Sequence, residues 1–174
     1  QLGLAFGGQG KYLQALESFK NALTYSLDDP ILHYQLGVIY QELEIYDLAV
    51  VSYKKYLTKY SDDAIVYRMV GECFLKLNNF TKSIDYLKKS SSLFNNNDIK
   101  SIYSLGIAHM KLKNYENAAK ILKLGIKLDP DYAMIHYQLI DIYHKLNKFR
   151  EAKKECDILY MLDRKLFYTS RFCN

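Results

Sequence analysis

A small residue recurs along this chain at a nearly constant interval, and this repeat constrains the fold more than any other feature. Glycine stands at four of the five equivalent positions and isoleucine at the fifth: Gly3, Gly37, Gly71, Gly106 and Ile140. The intervals are 34, 34, 35 and 34 residues. Intervals of this length are typical of proteins that stack one supersecondary unit on the next, because no unit can bury its apolar face alone.

Four other positions repeat in step with the glycine. An aromatic residue or histidine usually follows three residues later, a leucine six later, another aromatic nine later and alanine or serine twelve later. The second aromatic series is Tyr12, Tyr46, Phe80, Tyr115 and Phe149, and the small series is Ala15, Ala49, Ser83, Ala118 and Ala152. Apolar residues at spacings of three and four predict amphipathic helices.

Each repeat is therefore predicted to form two helices, an A helix that carries the glycine and a B helix that carries the small series. The predicted A helices are 30–43, 64–77, 99–112 and 132–146, and the predicted B helices are 13–26, 47–60, 81–93, 116–128 and 150–162. The residues predicted to cap helix starts are Asp29, Asp63, Thr81, Asp98 and Asp129, two of which precede a proline suited to a first turn.

The glycine and the small series are predicted to be packing devices. A glycine that recurs inside a helix indicates that another helix approaches closely there, and the small residues of helix B suit the other side of that contact. Ile140 replaces the glycine in the fifth repeat. We therefore expect the two helices of that repeat to lie further apart.

The order Leu-Gly, aromatic, aromatic, Ala and closing Asp-Pro resembles the tetratricopeptide repeat (TPR) family, and the resemblance covers nearly all of residues 1–166. It implies an all-α, right-handed superhelical solenoid of about five helix-turn-helix units. The expected repeats are 1–29, 30–63, 64–98, 99–132 and 133–166, and residues 167–174 are expected to start a capping helix or a truncated sixth repeat. Since both ends of the chain cut into repeats, we expect it to be an excerpt of a longer protein.

The resemblance also implies where a partner binds, because A helices line the concave groove in this family. Residues six and three before the glycine position, and one, four and five after it, are then expected to face inward. From these rows the predicted binding residues are Ile31, Tyr34, Val38, Arg68, Glu72, Lys100, Tyr103, Ile107, Met110, Lys111, Met134, Tyr137, Asp141 and His144. We call these fourteen the groove-row residues.

Residue types support an interaction surface at these positions. Tyr, Arg and Met are common anchors of protein interfaces, and Lys100, Lys111 and Lys145 favour an acidic partner. The alternative is that Tyr34 and Tyr103, like Tyr137, merely pack between helices, since a tyrosine ring can be buried while its hydroxyl stays wet.

Catalytic and metal sites are not predicted. The segment GLAFGGQGK at 3–11 lacks the glycine and the Ser or Thr that a phosphate-binding loop requires. The four histidines lie in separate repeats or replace core aromatics, whereas zinc needs several converging ligands. Cys73 and Cys156 are expected in the core and Cys173 is expected to be free.

Charge and cysteine content bound the setting of the protein. Residues 91–174 carry fourteen basic and nine acidic side chains, which could attract nucleic acid or an anionic surface, although lysines alternate with acids rather than forming a stripe. An odd, sparse set of three cysteines favours a reducing compartment, hence an intracellular, cytoplasmic location. No membrane span is predicted.

These observations predict a non-enzymatic scaffold that binds an extended or helical segment of a partner protein, without cofactor or small-molecule substrate. One alternative is a targeting arm of a larger enzyme, such as a glycosyltransferase, with catalysis elsewhere. Nucleic-acid or anionic-surface binding by the basic half is a further alternative, against which the interspersed charges argue.

Overall fold

The computed structural model describes residues 11–25 and 28–173 of the 174-residue chain. Helices and short connections make up this described part, and it holds no strand. In chain order the helices are α1 Tyr12–Tyr25, α2 Pro30–Glu42, α3 Tyr46–Leu57, α4 Ala64–Lys76, α5 Phe80–Leu93, α6 Ile99–Lys111, α7 Tyr115–Leu128, α8 Ala133–Lys145, α9 Phe149–Leu162 and α10 Arg164–Thr169. The predicted all-α architecture is confirmed.

The predicted A helices correspond to α2, α4, α6 and α8, and the predicted B helices to α1, α3, α5, α7 and α9. The largest difference is at the end of α3, which stops at Leu57 rather than at residue 60 because Thr58 already serves as its C-cap. The equivalent positions of the first repeat, Gly3, Phe6 and Gln9, lie outside the described residues.

Three of the predicted helix caps are confirmed. The Asp29 carboxylate accepts from the Ile31 backbone N–H at 2.9 Å. The Asp63 carboxylate accepts from two backbone N–H groups at 3.0 and 3.1 Å, and Asp98 accepts from Ser101 at 2.9 Å. These bonds satisfy donors that a helix start leaves without an intrahelical partner, which fixes where α2, α4 and α6 begin.

Two other predicted caps were wrong. Thr81 lies inside α5, and the side chain of Asn79 accepts from the Lys82 N–H instead. Asp129 ends α7 rather than starting α8, since its own N–H donates to the Gly125 carbonyl at 2.9 Å. The next two residues then form a turn, so α8 begins only at Ala133.

The chain divides into two compact units at residues 93 and 94. In the described part of the first unit, α1 to α5 pack each on its neighbour in sequence, around a core that includes Tyr53, Val66 and Val70. In the second unit α6 to α9 do the same, and α10 packs on α9 and α8. Ala118, Leu122 and Ile135 belong to the core of this second unit.

Each described A-helix glycine faces a large side chain sixteen residues later in helix B. A Cβ atom added to Gly37 would lie 2.5 Å from two ring atoms of Tyr53. At Gly106 it would lie 2.5 Å from Leu122. The predicted close approach of the two helices is therefore confirmed. A large side chain of helix B occupies the space over the glycine of helix A. The small series contributes as well, because the Ser83 hydroxyl donates to the Gly71 carbonyl at 2.7 Å.

The fifth repeat inverts this arrangement. Ile140 is fully buried in the glycine position, and the residue sixteen later is Cys156, where the other repeats have Tyr53, Leu87 and Leu122. Both belong to one buried cluster with Leu159. The expected wider separation of α8 and α9 is not required, because the volume added at Ile140 is removed at Cys156.

A disulfide joins Cys156 of α9 to Cys173, with Cα atoms 5.6 Å apart. The prediction that Cys173 is free was wrong. The turn after α10 brings Cys173 back onto α9, a contact that no local sequence pattern reveals. Cys73 is a free thiol and is buried in the core, as predicted.

Candidate partner-binding surface

The groove-row residues of the first unit lie on α2 and α4. Ile31 is one of them, and Ile65, which is not among the fourteen, occupies the same repeat position near the start of the next A helix. Their side chains leave 48% and 49% of their surface exposed. By contrast, Leu36 and Val70 on the same helices are buried. The two A helices of this unit thus present a half-exposed isoleucine at equivalent places.

Tyr34 is partly buried and contacts aromatic residues of α3. Its ring centroid lies 6.2 Å from that of Tyr53 and 5.4 Å from that of Tyr56. The Tyr56 hydroxyl donates to Asp63 at 2.9 Å. Burial, together with this hydrogen bond, raises the pKa of Tyr56 to about 12. Much of the Tyr34 ring therefore serves packing, which is the alternative role anticipated for it.

Arg68 and Glu72, two groove-row residues one turn apart on α4, form an ion pair. The Arg68 Nη1 atom lies 3.2 Å from Glu72 Oε1, and both side chains are mostly buried. Each charge is therefore largely compensated within the helix. Val38, the remaining groove-row residue of α2, is half-buried against the core of the unit.

In the second unit, α6 carries both exposed and buried groove-row residues. Lys100 and Lys111 are exposed, whereas Ile107 and Met110 are half-buried. The Tyr103 ring packs 5.8 Å from the ring of Tyr132.

The Tyr103 hydroxyl also has a partner, because it accepts from the side-chain amide of Gln138 at 3.4 Å. Burial raises the pKa of Tyr103, and the Gln138 hydrogen bond offsets part of that rise. Tyr103 is thus a packing residue that remains partly exposed, as a tyrosine between two helices can be.

Two groove-row residues of α8 are contacted by the chain's own C-terminal segment, residues 164–173, and a third lies beside it. Arg171 Nη2 lies 2.9 Å from Asp141 Oδ1. The Phe172 ring stacks on the His144 ring, with centroids 3.9 Å apart and an angle of 12° between the planes. Tyr137 packs into the same cluster as Phe172. The fourth groove-row residue of this helix, Met134, stays exposed.

A cavity of about 320 Å³ lies beside these contacts. It is lined by Tyr137, Gln138 and Asp141 of α8 and by the stretch 169–172. Gln138, Arg171 and Phe172 were absent from the predicted site. No local sequence signal indicates them, because Arg171 and Asp141 are 30 residues apart and meet only through the path of the chain after α10.

Three of the four histidines, His33, His109 and His136, are buried. His136 is buried, its Nδ1 lies 2.6 Å from Glu155 Oε2 and its Nε2 lies 2.8 Å from the Pro130 carbonyl oxygen. Burial alone would lower the pKa of His136, but the hydrogen bonds to Glu155 and Pro130 and the nearby negative charges outweigh it, so the pKa is raised. The His136 ring lies between two hydrogen-bond acceptors, an arrangement that favours its protonated form.

Other candidate chemistry is limited. Burial raises the pKa of the Cys73 thiol to about 12, which keeps it protonated and a poor nucleophile. Within residues 11–25 and 28–173, no three His, Cys, Asp or Glu side chains are grouped to hold a metal ion. Over the same residues no helix is long and apolar enough to cross a membrane.

Family models match three stretches of the chain. A "TPR repeat" model matches residues 3–44, and "Tetratricopeptide repeat" models match residues 32–63 and 99–132. No curated protein matches the sequence.

Solved structures with the same fold cover almost the whole chain. A crystal structure of MamA is 19% identical with a TM-score of 0.89, over 95% of this chain and 96% of MamA. MamA from Desulfovibrio magneticus RS-1 is 20% identical with a TM-score of 0.88, over 94% of this chain and 92% of that one. YrrB, a TPR protein, is 20% identical with a TM-score of 0.82, over 95% and 86%. At these identities the likeness shows the fold alone.

Proposed function

We propose that this chain, which belongs to the tetratricopeptide-repeat family, is a non-catalytic scaffold whose A helices bind an extended or helical segment of a partner protein. The binding residues would be the groove-row residues that stay exposed, together with Ile65, which holds the same repeat position as Ile31 but is not one of the fourteen. Fold alone does not assign such a role, so the argument depends on the surface itself.

The observation that carries the proposal is the row six residues before the glycine position. Its members on α2 and α4 are Ile31 and Ile65, and those on α6 and α8 are Lys100 and Met134. All four side chains are exposed, although Ile31, Ile65 and Met134 are apolar. A position that is exposed in every copy while its side chain changes is suited to select a partner rather than to hold the fold.

The fold neighbours give a precedent. YrrB is a TPR protein with an unusual peptide-binding site. A half-exposed isoleucine at the same place on successive A helices offers an extended peptide regularly spaced apolar contacts, and buried apolar contacts of this kind supply most of the affinity in peptide recognition.

Charges suggest what the partner carries near α6. Lys100 and Lys111 are exposed there, so an acidic stretch would be attracted to this helix. Arg68 contributes little to that attraction, since Glu72 already compensates it. Nucleic acid is less suitable, because the lysines are interspersed with acidic residues along the sequence and do not form a basic stripe.

The predicted intracellular, cytoplasmic location depended on the small, odd number of cysteines. Two of the three form a disulfide, so this count no longer indicates a reducing compartment. The location stays a prediction, and counting free thiols in the protein isolated from its cells would test it.

The proposal is tested with peptides selected from a random displayed library against the full chain. Dissociation constants are then measured for the wild type, for Ile65→Ser and for Val51→Ser. Val51 is a matched control, because it is a β-branched residue with 51% exposure that lies on a B helix. We expect at least tenfold weaker binding for Ile65→Ser and no change for Val51→Ser. The opposite ranking would reject the A-helix surface.

A further inference from the structure

The segment after α10 lies on a surface that belongs to the groove rows. Asp141 and His144 are one turn apart on α8, and each contacts one residue of the dipeptide Arg171-Phe172. The Arg171 guanidinium pairs with the Asp141 carboxylate, and the Phe172 ring stacks on the His144 imidazole. The Arg171 guanidinium also lies 4.5 Å from the Phe172 ring centroid, so the two side chains form one compact unit.

The surface is therefore complementary to a cation followed by an aromatic ring. A carboxylate and a guanidinium can form charge-assisted hydrogen bonds, and two flat rings at 3.9 Å make a stacked contact. Beside them, the cavity of about 320 Å³ leaves room next to Tyr137 and Gln138 for further side chains of a bound segment.

The ion pair alone holds Arg171 weakly. The Arg171 side chain is 67% exposed, and an ion pair so open to water contributes little free energy. The disulfide between Cys156 and Cys173 fixes the next residue of the chain on α9. A tether of one residue gives the dipeptide a very high effective concentration at α8, which an outside segment could not match.

We propose that this α8 surface binds segments in which a cationic residue is followed by an aromatic one, and that Arg171-Phe172 is its resident occupant while Cys156 and Cys173 are bonded. Reduction of the disulfide removes the tether at Cys173 and leaves only the link through Ser170 to α10, so a segment of the same chemistry on a partner protein can compete for the surface. This inference depends on the proposed function, since it assigns a partner chemistry to one of the same A helices.

The release step needs a dithiol as reductant. One thiolate of the dithiol attacks a sulfur of the Cys156–Cys173 bond, the other cysteine leaves as thiolate and takes a proton, and the second thiol of the reductant resolves the mixed disulfide. The products are two cysteine thiols and the oxidised, cyclic reductant. Two electrons pass from the dithiol to the protein disulfide.

The probe is a fluorescent peptide with the sequence of residues 168–172, Tyr-Thr-Ser-Arg-Phe, whose binding is followed by anisotropy. A full-length triple variant, Cys173→Ser with Arg171→Ser and Phe172→Ala, keeps the chain but empties the surface. We expect the triple variant to bind the peptide, oxidised wild type to show at least tenfold weaker binding, and dithiol-reduced wild type to lie between them. Circular dichroism confirms that each protein is folded.

Specificity decides between this surface and adventitious binding. Adding Asp141→Asn to the triple variant should weaken binding at least tenfold, while the exposed control Asp131→Asn should leave it unchanged. A peptide with Glu in place of its Arg should fail to bind. The proposed ligand chemistry of the α8 surface is overturned if the folded triple variant does not bind, or if it binds both peptides alike. The proposed control by the disulfide is overturned if oxidised wild type binds as well as the triple variant. None of these outcomes changes the effect of Ile65→Ser, so the two proposals fail separately.

Discussion

Ile140 of α8 and Cys156 of α9 lie in one buried cluster with their sizes exchanged relative to the other described repeats. At Gly37, Gly71 and Gly106 the A helix supplies no side chain, and helix B fills the space with Tyr53, Leu87 and Leu122. In the fifth repeat helix A supplies the volume and helix B supplies a cysteine. The same exchange provides the sulfur that bonds to Cys173.

This exchange predicts that the two positions are energetically coupled. Gly106→Ile should lower the free energy of unfolding by about 1–3 kcal/mol, because its side chain would overlap Leu122. Combining Gly106→Ile with Leu122→Cys should cost less than the sum of the single changes, since it copies the pair at Ile140 and Cys156. Urea unfolding of the four proteins in the cycle measures this, and strict additivity would refute the exchange.

Helix capping predicts a difference between two neighbouring acids. Asp63→Ala should destabilise the protein by about 1–2 kcal/mol, because it removes the bonds to the backbone of α4 and the acceptor of the Tyr56 hydroxyl. Asp62 is exposed and serves as the control, so Asp62→Ala should change stability by less than about 0.5 kcal/mol. Equal effects in thermal or urea unfolding would show that Asp63 is not the cap.

The pair of His136 and Glu155 predicts a pH-dependent contribution to stability. The pKa of His136 is raised in the folded protein above its ordinary value of 6.5. The contribution of the His136–Glu155 pair to the free energy of unfolding is therefore fully present below pH 6.5, the ordinary pKa of histidine, and is lost as the pH rises through the folded-state pKa of His136. Glu155→Gln should thus cost about 1.5–3 kcal/mol at acidic pH and less at alkaline pH.

Urea unfolding between pH 5 and 9 measures this trend. The control is Glu151→Gln, which removes an exposed carboxylate from the same helix. If Glu155→Gln destabilises the protein equally across the range, the charged form of His136 is not the one that Glu155 stabilises.

The disulfide predicts a redox-dependent stability. It closes a loop across a sequence separation of 17 residues, for which chain-entropy models give about 3 kcal/mol. Cys173→Ser should therefore lower the free energy of unfolding by about that amount without reductant. With excess dithiol the wild type and the variant should coincide. A difference that persists in reductant would mean that the serine itself disturbs the packing around Ile140.

Local patterns explain why most helices could be predicted from the sequence. The periodic apolar residues and the capping acids of α2, α4 and α6 act within one or two turns, so spacing alone reveals them. Asp129-Pro130 misled the prediction because a capping acid before a proline also suits the end of a helix followed by a turn.

The contacts of the C-terminal segment could not be predicted in this way. Arg171 and Asp141 are 30 residues apart, and their meeting depends on the path of the chain after α10. The disulfide depends on the same path. The exposure of individual side chains could not be predicted either. Spacing placed Tyr34 and Ile31 on one face of α2, but it could not show that α3 covers much of Tyr34 and leaves half of Ile31 exposed.

Hydrogen–deuterium exchange of the full chain, with and without a peptide selected from a displayed library, tests the central claim most directly. If the A helices bind the partner, the peptide should slow exchange in α2, α4 or α6 and leave the B helices α3, α5 and α7 unchanged. Protection confined to the B helices would contradict the account, because it would place the partner on the opposite set of helices.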